Sequence, residues 1–261
     1  MTLVRAVLSG CALALAAAAC ALKVPTDTNA TVAEGSGQTV LFVGNSLTYV
    51  NDVPGLVRAI SRLTEGDKAL RVATVAFPDY SLLDHWFDGH AARAMRDGKW
   101  NFVVFQQGPS TQLDSRAELA QYAWQFGLVA KEVGATPAMY SVWPFQSAFF
   151  DLPASTYSYQ LAADTARGIH LPAGDAWASA LKREASLALY SADGLHPTMA
   201  GSVLAALVIS EKLTGHAPAS LPARLELDGG GHVDLTDSQR RIFLEAAAEA
   251  IAKAPFRLRE N

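Results

Sequence analysis

The chain has 261 residues, of which 50% are hydrophobic and 18% are charged, so it carries enough apolar material for one sizeable core. Its 21 lysines and arginines against 25 aspartates and glutamates give a formal net charge of -4, and the basic residues are scattered. Nothing in this pattern would neutralise a phosphate backbone, so we expect no nucleic-acid partner. The two cysteines, Cys11 and Cys20, both lie near the N-terminus, which leaves no pair in the body of the chain for a disulfide or a thiolate metal site.

Residues 1–19 have the order of a secretory signal peptide: one arginine at position 5, then an apolar run, then small residues. A transmembrane anchor is the alternative, but Ser9 and Gly10 interrupt the run, which falls short of the roughly 20 residues that a span needs. Ala-Ala-Ala-Cys at residues 17–20 resembles a bacterial lipobox and favours lipidation at Cys20, with plain cleavage as the alternative. We therefore expect export, either as a periplasmic or outer-membrane-anchored lipoprotein or, alternatively, as a secreted protein.

Residues 20–38 lack aromatic side chains and contain many Thr, Ala and Gly residues. Such a composition predicts a flexible tether between an anchor and a folded body. No second linker follows, so residues 39–261 are expected to form a single domain.

Short apolar runs alternate with helical patterns through this domain, which is typical of a parallel sheet covered by helices on both faces. The apolar runs lie at residues 39–43, 70–76, 102–105, 136–142 and 169–173. The helical patterns lie at residues 54–64, 82–96, 116–133, 157–167, 176–188, 200–213 and 238–254. The sequence therefore predicts an α/β fold, a three-layer α/β/α sandwich with a central parallel sheet of about five strands.

Polar residues follow several of the predicted strands, where ligands bind in open α/β sheets. Gly-Asn-Ser-Leu-Thr follows the first strand at residues 44–48, and a late loop reads Asp-Gly-Leu-His-Pro at residues 193–197. A serine becomes an effective nucleophile only when a base takes its proton and donors stabilise the resulting oxyanion. Asp193 lies three residues before His196, so its carboxylate can reach one imidazole nitrogen and leave the other for Ser46.

These segments resemble the SGNH, or GDSL, hydrolase superfamily of serine esterases and lipases, at motif level over about residues 40–215. The resemblance implies a flavodoxin-like fold with Ser46 as the nucleophile, Asp193 as the orienting carboxylate and His196 as the general base. It also implies hydrolysis of small carboxylic esters, with acetyl groups on carbohydrate as one candidate class. The backbone N–H of Ser46 is the first expected donor of the oxyanion hole.

The middle motifs depart from the family pattern. Where many members have a glycine whose N–H enters the oxyanion hole, this chain has a proline, which has no N–H, so the N–H of Asp79 or of Tyr80 is the candidate. Where the family has an asparagine donor, this chain has Gln106 and Gln107. Gln107 resembles the glutamine of carbohydrate O-acetylesterases in the superfamily, and Gln106 is the alternative from other glutamine-bearing members.

Two further residues are candidates for substrate contact by their position after a strand. His85 follows the second strand and Trp143 follows the fourth, and packing is the alternative for both. No histidine has metal-ligand spacing to another histidine, cysteine or acid, so neither a metal nor a cofactor is expected. The expected partners are a small-molecule ester and, through the lipid anchor, a bacterial membrane; the oligomeric state is left open. The alternatives are a lipase or thioesterase of the same superfamily and a non-catalytic binding lipoprotein that retains the fold.

Overall fold

A parallel five-stranded sheet forms the centre of the computed structural model, which describes residue 32 and residues 34–254. Its strands are β1 (Thr39–Gly44), β2 (Arg71–Ala76), β3 (Phe102–Phe105), β4 (Thr136–Tyr140) and β5 (Ile169–Leu171). Their spatial order is β2-β1-β3-β4-β5, the order of a flavodoxin-like sheet. Every neighbouring pair is parallel, so all five carboxyl ends lie at one edge of the sheet.

Helices cover both faces of this sheet. They are α1 (Ser46–Tyr49), α2 (Val53–Glu65), α3 (Leu82–Asp88), α4 (His90–Asp97), α5 (Leu113–Val133), α6 (Leu152–Ala166), α7 (Ala173–Arg183), α8 (Met199–Thr214) and α9 (Asp237–Lys253). In one layer, α2 packs on α8, which also contacts α7 and α9. In the other layer, α3 and α4 pack on α5, which packs on α6. The predicted three-layer α/β/α fold is confirmed.

Burial on both faces explains why the strands are apolar runs instead of alternating patterns. Residues 40–43 of β1 have no exposed surface, and residues 201–210 of α8 are all buried. Because they are buried so completely, β1 and α8 are the centre of the core. Each large aliphatic side chain buried there stabilises the fold by roughly 1.5–3 kcal/mol. Within the described residues, no helix combines the length and the apolar character needed to cross a membrane.

The bounds of several helices differ from the prediction; α7, for example, is Ala173–Arg183 instead of residues 176–188, and the short helix α1 was not predicted. Two differences are larger. The helix predicted at residues 82–96 is two helices, because Gly89 ends α3 with a φ of 73°. An antiparallel hairpin of β6 (Arg224–Glu226) and β7 (His232–Asp234) was not predicted, since each strand has one buried residue between two exposed polar ones and so gives no apolar run. Three glycines, at residues 229–231, lie in the connection between these two strands.

The predicted signal peptide at residues 1–19 and the predicted lipidation site Cys20 lie outside the described residues, as does most of the predicted tether at residues 20–38. The described end of that tether contacts the domain. Arg58 Nη2 donates to the Glu34 carbonyl at 2.9 Å, and the first N–H of β2 donates to the carbonyl that precedes β1 at 2.8 Å. The boundary between tether and folded body at residue 39 stays a prediction.

Candidate active site

Ser46 lies directly beyond the carboxyl end of β1, as the first residue of α1. β2 lies on one side of β1 and β3 on the other, so the connections that follow β1 and β3 run to opposite faces of the sheet. A crevice opens between these two connections. Asn45 is extended, and its Oδ1 accepts the N–H of Leu47 at 3.1 Å, which caps the helix. The N–H of Ser46 has no acceptor among the described residues, so it remains free to donate into the crevice.

A fully buried glutamine, Gln106, lies beneath this turn. Its Oε1 accepts the N–H of Asn45 at 3.0 Å and the hydroxyl of Thr48 at 2.7 Å. Its Nε2 donates to Asn45 Oδ1 at 2.9 Å and to the Gln107 carbonyl at 2.6 Å. Both amide hydrogens are therefore used, and none is left for an oxyanion at Ser46. The prediction that Gln106 donates into the oxyanion hole is wrong, because Gln106 fixes the turn instead.

Gln107 is also almost completely buried, with 3% of its surface exposed. Its Oε1 accepts the N–H of Leu82 at 2.9 Å, and its Nε2 donates to Ser110 Oγ at 2.9 Å. The second Nε2 hydrogen has no acceptor in the part of the chain that the structure describes. The role of Gln107 as an oxyanion donor therefore stays a prediction.

The turn after β2 brings Asp79 and Tyr80 to the serine turn, because Asn45 Nδ2 donates to the Tyr80 carbonyl at 3.0 Å. The N–H of Tyr80 makes a long bond of 3.4 Å to the Phe77 carbonyl. Asp79 has a left-handed φ of 58°, and its N–H has no acceptor within residues 34–254. This arrangement favours Asp79 over Tyr80 as the donor from this turn.

His85 lies beneath the serine turn, residues 44–48, and has no exposed surface. Its Nε2 is 2.8 Å from the Gly44 carbonyl, and since a carbonyl only accepts, Nε2 carries the hydrogen. Burial lowers the pKa of the imidazole below its ordinary value, which keeps the ring neutral. A side chain without exposed surface cannot touch a substrate in this conformation, so the predicted substrate contact of His85 is wrong and the packing alternative is correct.

Trp143 is likewise fully buried. Its ring stacks on Trp177 with 3.4 Å between the centroids, and its Nε1 donates to the Leu195 carbonyl at 2.9 Å. The predicted substrate contact of Trp143 is therefore wrong as well, since the indole contacts the loop that carries His196 and presents no surface to a ligand.

Asp193, His196 and Ser46 form a continuous chain of hydrogen bonds at the carboxyl edge of the sheet. His196 Nδ1 is 2.5 Å from Asp193 Oδ2, and His196 Nε2 is 2.9 Å from Ser46 Oγ. A carboxylate only accepts, so in the neutral ring Nδ1 carries the hydrogen and the lone pair of Nε2 faces the hydroxyl. The structure thus brings together the three residues that the sequence singled out from segments about 150 positions apart.

The electrostatics of this group keep Asp193 charged. Its Oδ1 accepts the N–H groups of Leu195 and His196, each at 2.9 Å. The bond from Leu195, followed by the bond to the His196 ring, holds the pKa of the Asp193 carboxyl below its ordinary value. The side chains of Asp193 and His196 are 50% and 32% exposed, so the group is open to solvent and to bulky ligands.

Sequence reasoning missed Tyr159, which fixes the strand end that carries Gln107. Its hydroxyl donates to the Gln107 carbonyl at 2.7 Å and accepts the Gln107 N–H at 3.0 Å. Burial raises the pKa of Tyr159, so the phenol stays protonated. A tyrosine on the buried face of a helix carries no signal that separates this role from ordinary core packing.

Comparison with solved structures places this geometry in a known fold. A protein from Slackia heliotrinireducens that is provisionally described as an SGNH hydrolase is similar over 68% of this chain and 99% of its own length, with 26% identity and a TM-score of 0.56. The chain has the SGNH hydrolase fold. The resemblance to the SGNH superfamily that the motifs indicated is thereby confirmed.

Two other solved structures show the same fold at lower identity. A DUF4886-family protein from Bacteroides uniformis covers 83% of this chain and 95% of its own length, with 17% identity and a TM-score of 0.68. An acetylxylan esterase from Geobacillus stearothermophilus covers 69% and 94%, with 15% identity and a TM-score of 0.51. No model of a protein family and no curated protein matches the chain.

The neighbours of this SGNH fold therefore include hydrolases and esterases, which supports membership of the hydrolase class. Within residues 34–254, no three His, Cys, Asp or Glu side chains lie close enough together to hold a metal ion. The groups that meet at the carboxyl edge of the sheet are the hydroxyl of Ser46, the imidazole of His196 and the carboxylate of Asp193.

Proposed function

We propose that the chain is a serine esterase in which Ser46 is the nucleophile, His196 the general base and Asp193 the orienting carboxylate. The observation that carries this proposal is the unbroken path from Asp193 Oδ2 through the imidazole to Ser46 Oγ, at 2.5 and 2.9 Å. A structural serine has no need of a base whose other nitrogen is bonded to a carboxylate, whereas this arrangement activates a serine for acyl transfer.

In the proposed mechanism, the proton of Ser46 Oγ moves to His196 Nε2 while Oγ bonds to the ester carbonyl carbon. The carbonyl oxygen becomes an oxyanion that accepts hydrogen bonds from the N–H of Ser46 and the N–H of Asp79, with Gln107 Nε2 as the third donor. His196 then gives the proton to the leaving alcohol as the carbon–oxygen bond breaks. Water, activated by the same imidazole, hydrolyses the acyl-enzyme and restores Ser46.

The substrate class proposed is a small acyl ester on a larger alcohol, with O-acetyl groups on carbohydrate as the leading example. The exposed position of Asp193 and His196 supports it, because an open site accepts a bulky alcohol. The motif resemblance to carbohydrate O-acetylesterases is the second support. A lipase would instead show turnover that rises with the length of the acyl chain, and a thioesterase would hydrolyse an acyl thioester faster than the corresponding oxygen ester.

The test is hydrolysis of p-nitrophenyl acetate by the wild type, Ser46→Ala and Asp193→Asn. We expect Ser46→Ala to lower kcat by about 10⁴-fold or more, and Asp193→Asn by about 10⁴-fold because the imidazole loses its fixed tautomer. Ser220→Ala, a change at an exposed serine, is the matched control and should leave kcat unchanged. Wild-type protein that is folded but shows neither turnover dependent on Ser46 nor labelling by a fluorophosphonate would favour the non-catalytic lipoprotein.

We also propose that the chain is exported and that Cys20 is lipidated, on the basis of the N-terminal pattern alone. Mass spectrometry of the mature N-terminus tests this directly. A mature chain that begins at another residue, or an unmodified Cys20, would contradict the anchor without affecting the esterase proposal.

A further inference from the structure

The loop that carries Asp193 and His196 has no helix or sheet of its own, yet it is closed at its base. Tyr190 forms an isolated β-bridge with Pro197, and the N–H of Ser191 donates to the His196 carbonyl at 2.8 Å. These bonds join the two ends of the loop to each other. They do not fix its position relative to Ser46, so that position depends on other contacts.

The segment that follows β4 supplies such contacts through three hydrogen bonds. The bonds are Trp143 Nε1 to the Leu195 carbonyl at 2.9 Å, the Gln146 N–H to the Gly194 carbonyl at 2.8 Å, and Tyr190 Oη to the Pro144 carbonyl at 2.7 Å. Two of the accepting carbonyls belong to the residues between Asp193 and His196. The centre of the loop is therefore fixed to residues 143–146, which continue a strand of the sheet.

The Trp143 indole is itself rigidly placed. It stacks on Trp177 with an angle of 10° between the rings, and neither indole has exposed surface. Trp177 Nε1 donates to the Gly201 carbonyl at 3.2 Å in the first turn of α8, and a Cβ at Gly201 would lie 2.6 Å from the Trp177 ring. The stacked pair of Trp143 and Trp177 thus connects the end of β4 with the loop that carries His196 and with α8, the helix that follows this loop.

We propose that Trp143 is a positioning residue for the triad, and this inference rests on the esterase function proposed above. Its indole N–H fixes the Leu195 carbonyl and so places the next residue, His196, against Ser46. Apart from Asp193 and Ser46, no hydrogen-bond partner of the imidazole is found among the described residues. The angle at which Nε2 meets Ser46 Oγ is therefore set by the backbone on either side of the ring. Trp143 anchors this backbone at Leu195, and Asn51 Nδ2 donates to the Pro197 carbonyl at 3.0 Å.

Trp143→Phe tests the proposal, because phenylalanine keeps an aromatic ring in the stack but has no N–H. Trp100→Phe is the matched control. Trp100 is 6% exposed, and its Nε1 also donates to a backbone carbonyl, that of Ala94, at 2.9 Å, but it precedes β3 at the opposite edge of the sheet. Each variant loses one indole hydrogen bond and the same atoms, so the two should lose similar stability in urea denaturation.

With p-nitrophenyl acetate, we expect Trp143→Phe to lower kcat by roughly 10- to 100-fold with KM within about twofold, since a displacement of about 1 Å at the reacting atoms has effects of this size. Trp100→Phe should change neither constant by more than about twofold. Equal losses of kcat in the two variants would overturn the proposal, because they would show a general effect of core packing.

Amide hydrogen exchange provides a readout that does not need turnover. The N–H groups of Leu195 and His196 both donate to Asp193, so loosening of the loop should raise their exchange rates about fivefold or more in Trp143→Phe and leave the β1 amides unchanged. Unchanged exchange at these two amides would overturn the proposal. A wild type without esterase activity would refute the proposed function alone, since exchange still decides the role of Trp143.

Tyr190→Phe keeps the proposal testable if Trp143→Phe does not fold. It removes only the hydroxyl that donates to Pro144. The same pattern of lower kcat and faster loop exchange is expected at smaller size, and its absence would count against residues 143–146 as the anchor of the loop.

Discussion

The serine turn at residues 44–48 and the histidine loop at residues 193–197 meet at one hydrogen bond, but they are fixed in different ways. Beneath the turn, Gln106 and His85 have no exposed surface, and Gln106 uses both of its amide hydrogens and its oxygen on the turn or its neighbours. The loop is half-buried, with Asp193 exposed and Pro197 buried, and it is attached to the body of the protein through hydrogen bonds to its backbone carbonyls. A change that displaces the serine turn should therefore also destabilise the fold. The histidine loop, in contrast, can be displaced from Ser46 while the protein stays folded.

Gln106→Glu is expected to have the largest effect on the turn, since it keeps the shape of the side chain and removes its two donors. A carboxylate would face Asn45 Oδ1 and the Gln107 carbonyl, both buried and both acceptors. We expect a loss of about 3–5 kcal/mol in the free energy of unfolding at pH 7.5, measured in urea, together with loss of turnover.

Gln112→Glu is the control for this change, because the Gln112 side chain is exposed and, among the described residues, makes one 3.4 Å hydrogen bond, to Thr111. It should leave stability within about 0.5 kcal/mol of the wild type. Similar stability of the two variants would mean that the network around Gln106 does not restrain the turn.

Gly44→Ala and Gly194→Ala are the next largest and compare the two regions directly. A Cβ at Gly44 would lie 2.4 Å from Thr48 Oγ1 and 2.6 Å from Gln106 Oε1, which are bonded to each other and cannot both move aside. A Cβ at Gly194 would meet nothing closer than 3.7 Å, so only its φ of 70° is unfavourable. We expect losses of about 3 kcal/mol and about 1 kcal/mol respectively in urea denaturation. Losses of equal size would contradict the difference between the two regions.

Acidification is expected to give the smallest effect on the free energy of unfolding. The contribution of the serine turn should be lost at a higher pH than that of the histidine loop. Burial lowers the pKa of His85 below 6.5, and hydrogen bonds from Leu195 and then His196 lower the pKa of Asp193 below 3.8. For both groups the folded pKa is the lower one, so each stabilises the fold above its unfolded pKa, and this stabilisation is lost as the pH falls through the folded value. Loss from His85 thus begins below about pH 6.5, and loss from Asp193 only below about pH 4.

The measurement is the free energy of unfolding between pH 7.5 and 4.5 for the wild type and His85→Gln, which keeps an N–H donor but does not titrate. The wild type should lose more stability than the variant over this range, because its unfolded state gains a proton at His85 that the folded state does not bind. His232→Gln, at an exposed histidine of the β6–β7 hairpin, should follow the wild type. Parallel curves for the wild type and His85→Gln would show that acid does not act through the turn.

The sequence predicts the sheet and the three residues of the triad because both depend on local pattern. β3 is predicted to the residue at 102–105, since an apolar run between polar turns has a single interpretation in an α/β chain. Ser46, Asp193 and His196, the residues of the proposed triad, were expected to meet from their spacing after a strand end and within one loop, and the structure brings their side chains together. Elements without such a pattern, such as the three-residue strands of the hairpin, are missed.

The errors at Gln106, His85 and Trp143 have a common physical cause. Each residue was correctly placed near the site, but its side chain points into the protein, where it bonds to a neighbouring backbone or turn. Whether a polar or aromatic group at a strand end faces the crevice or the core depends on packing between segments far apart in sequence. A residue type at a strand end therefore indicates proximity to a site without indicating whether it faces the ligand.

The described end of the N-terminal segment contacts the domain where β1 and β2 begin, and Ser46 follows the far end of β1. A six-residue strand is about 20 Å long, so the chain enters the domain on one side of the molecule and the Ser46 hydroxyl lies on the other. If the preceding segment is fixed to a surface, the crevice is directed away from that surface. Such an orientation would leave the site open to insoluble or polymeric material approaching from outside and would keep it clear of whatever carries the protein.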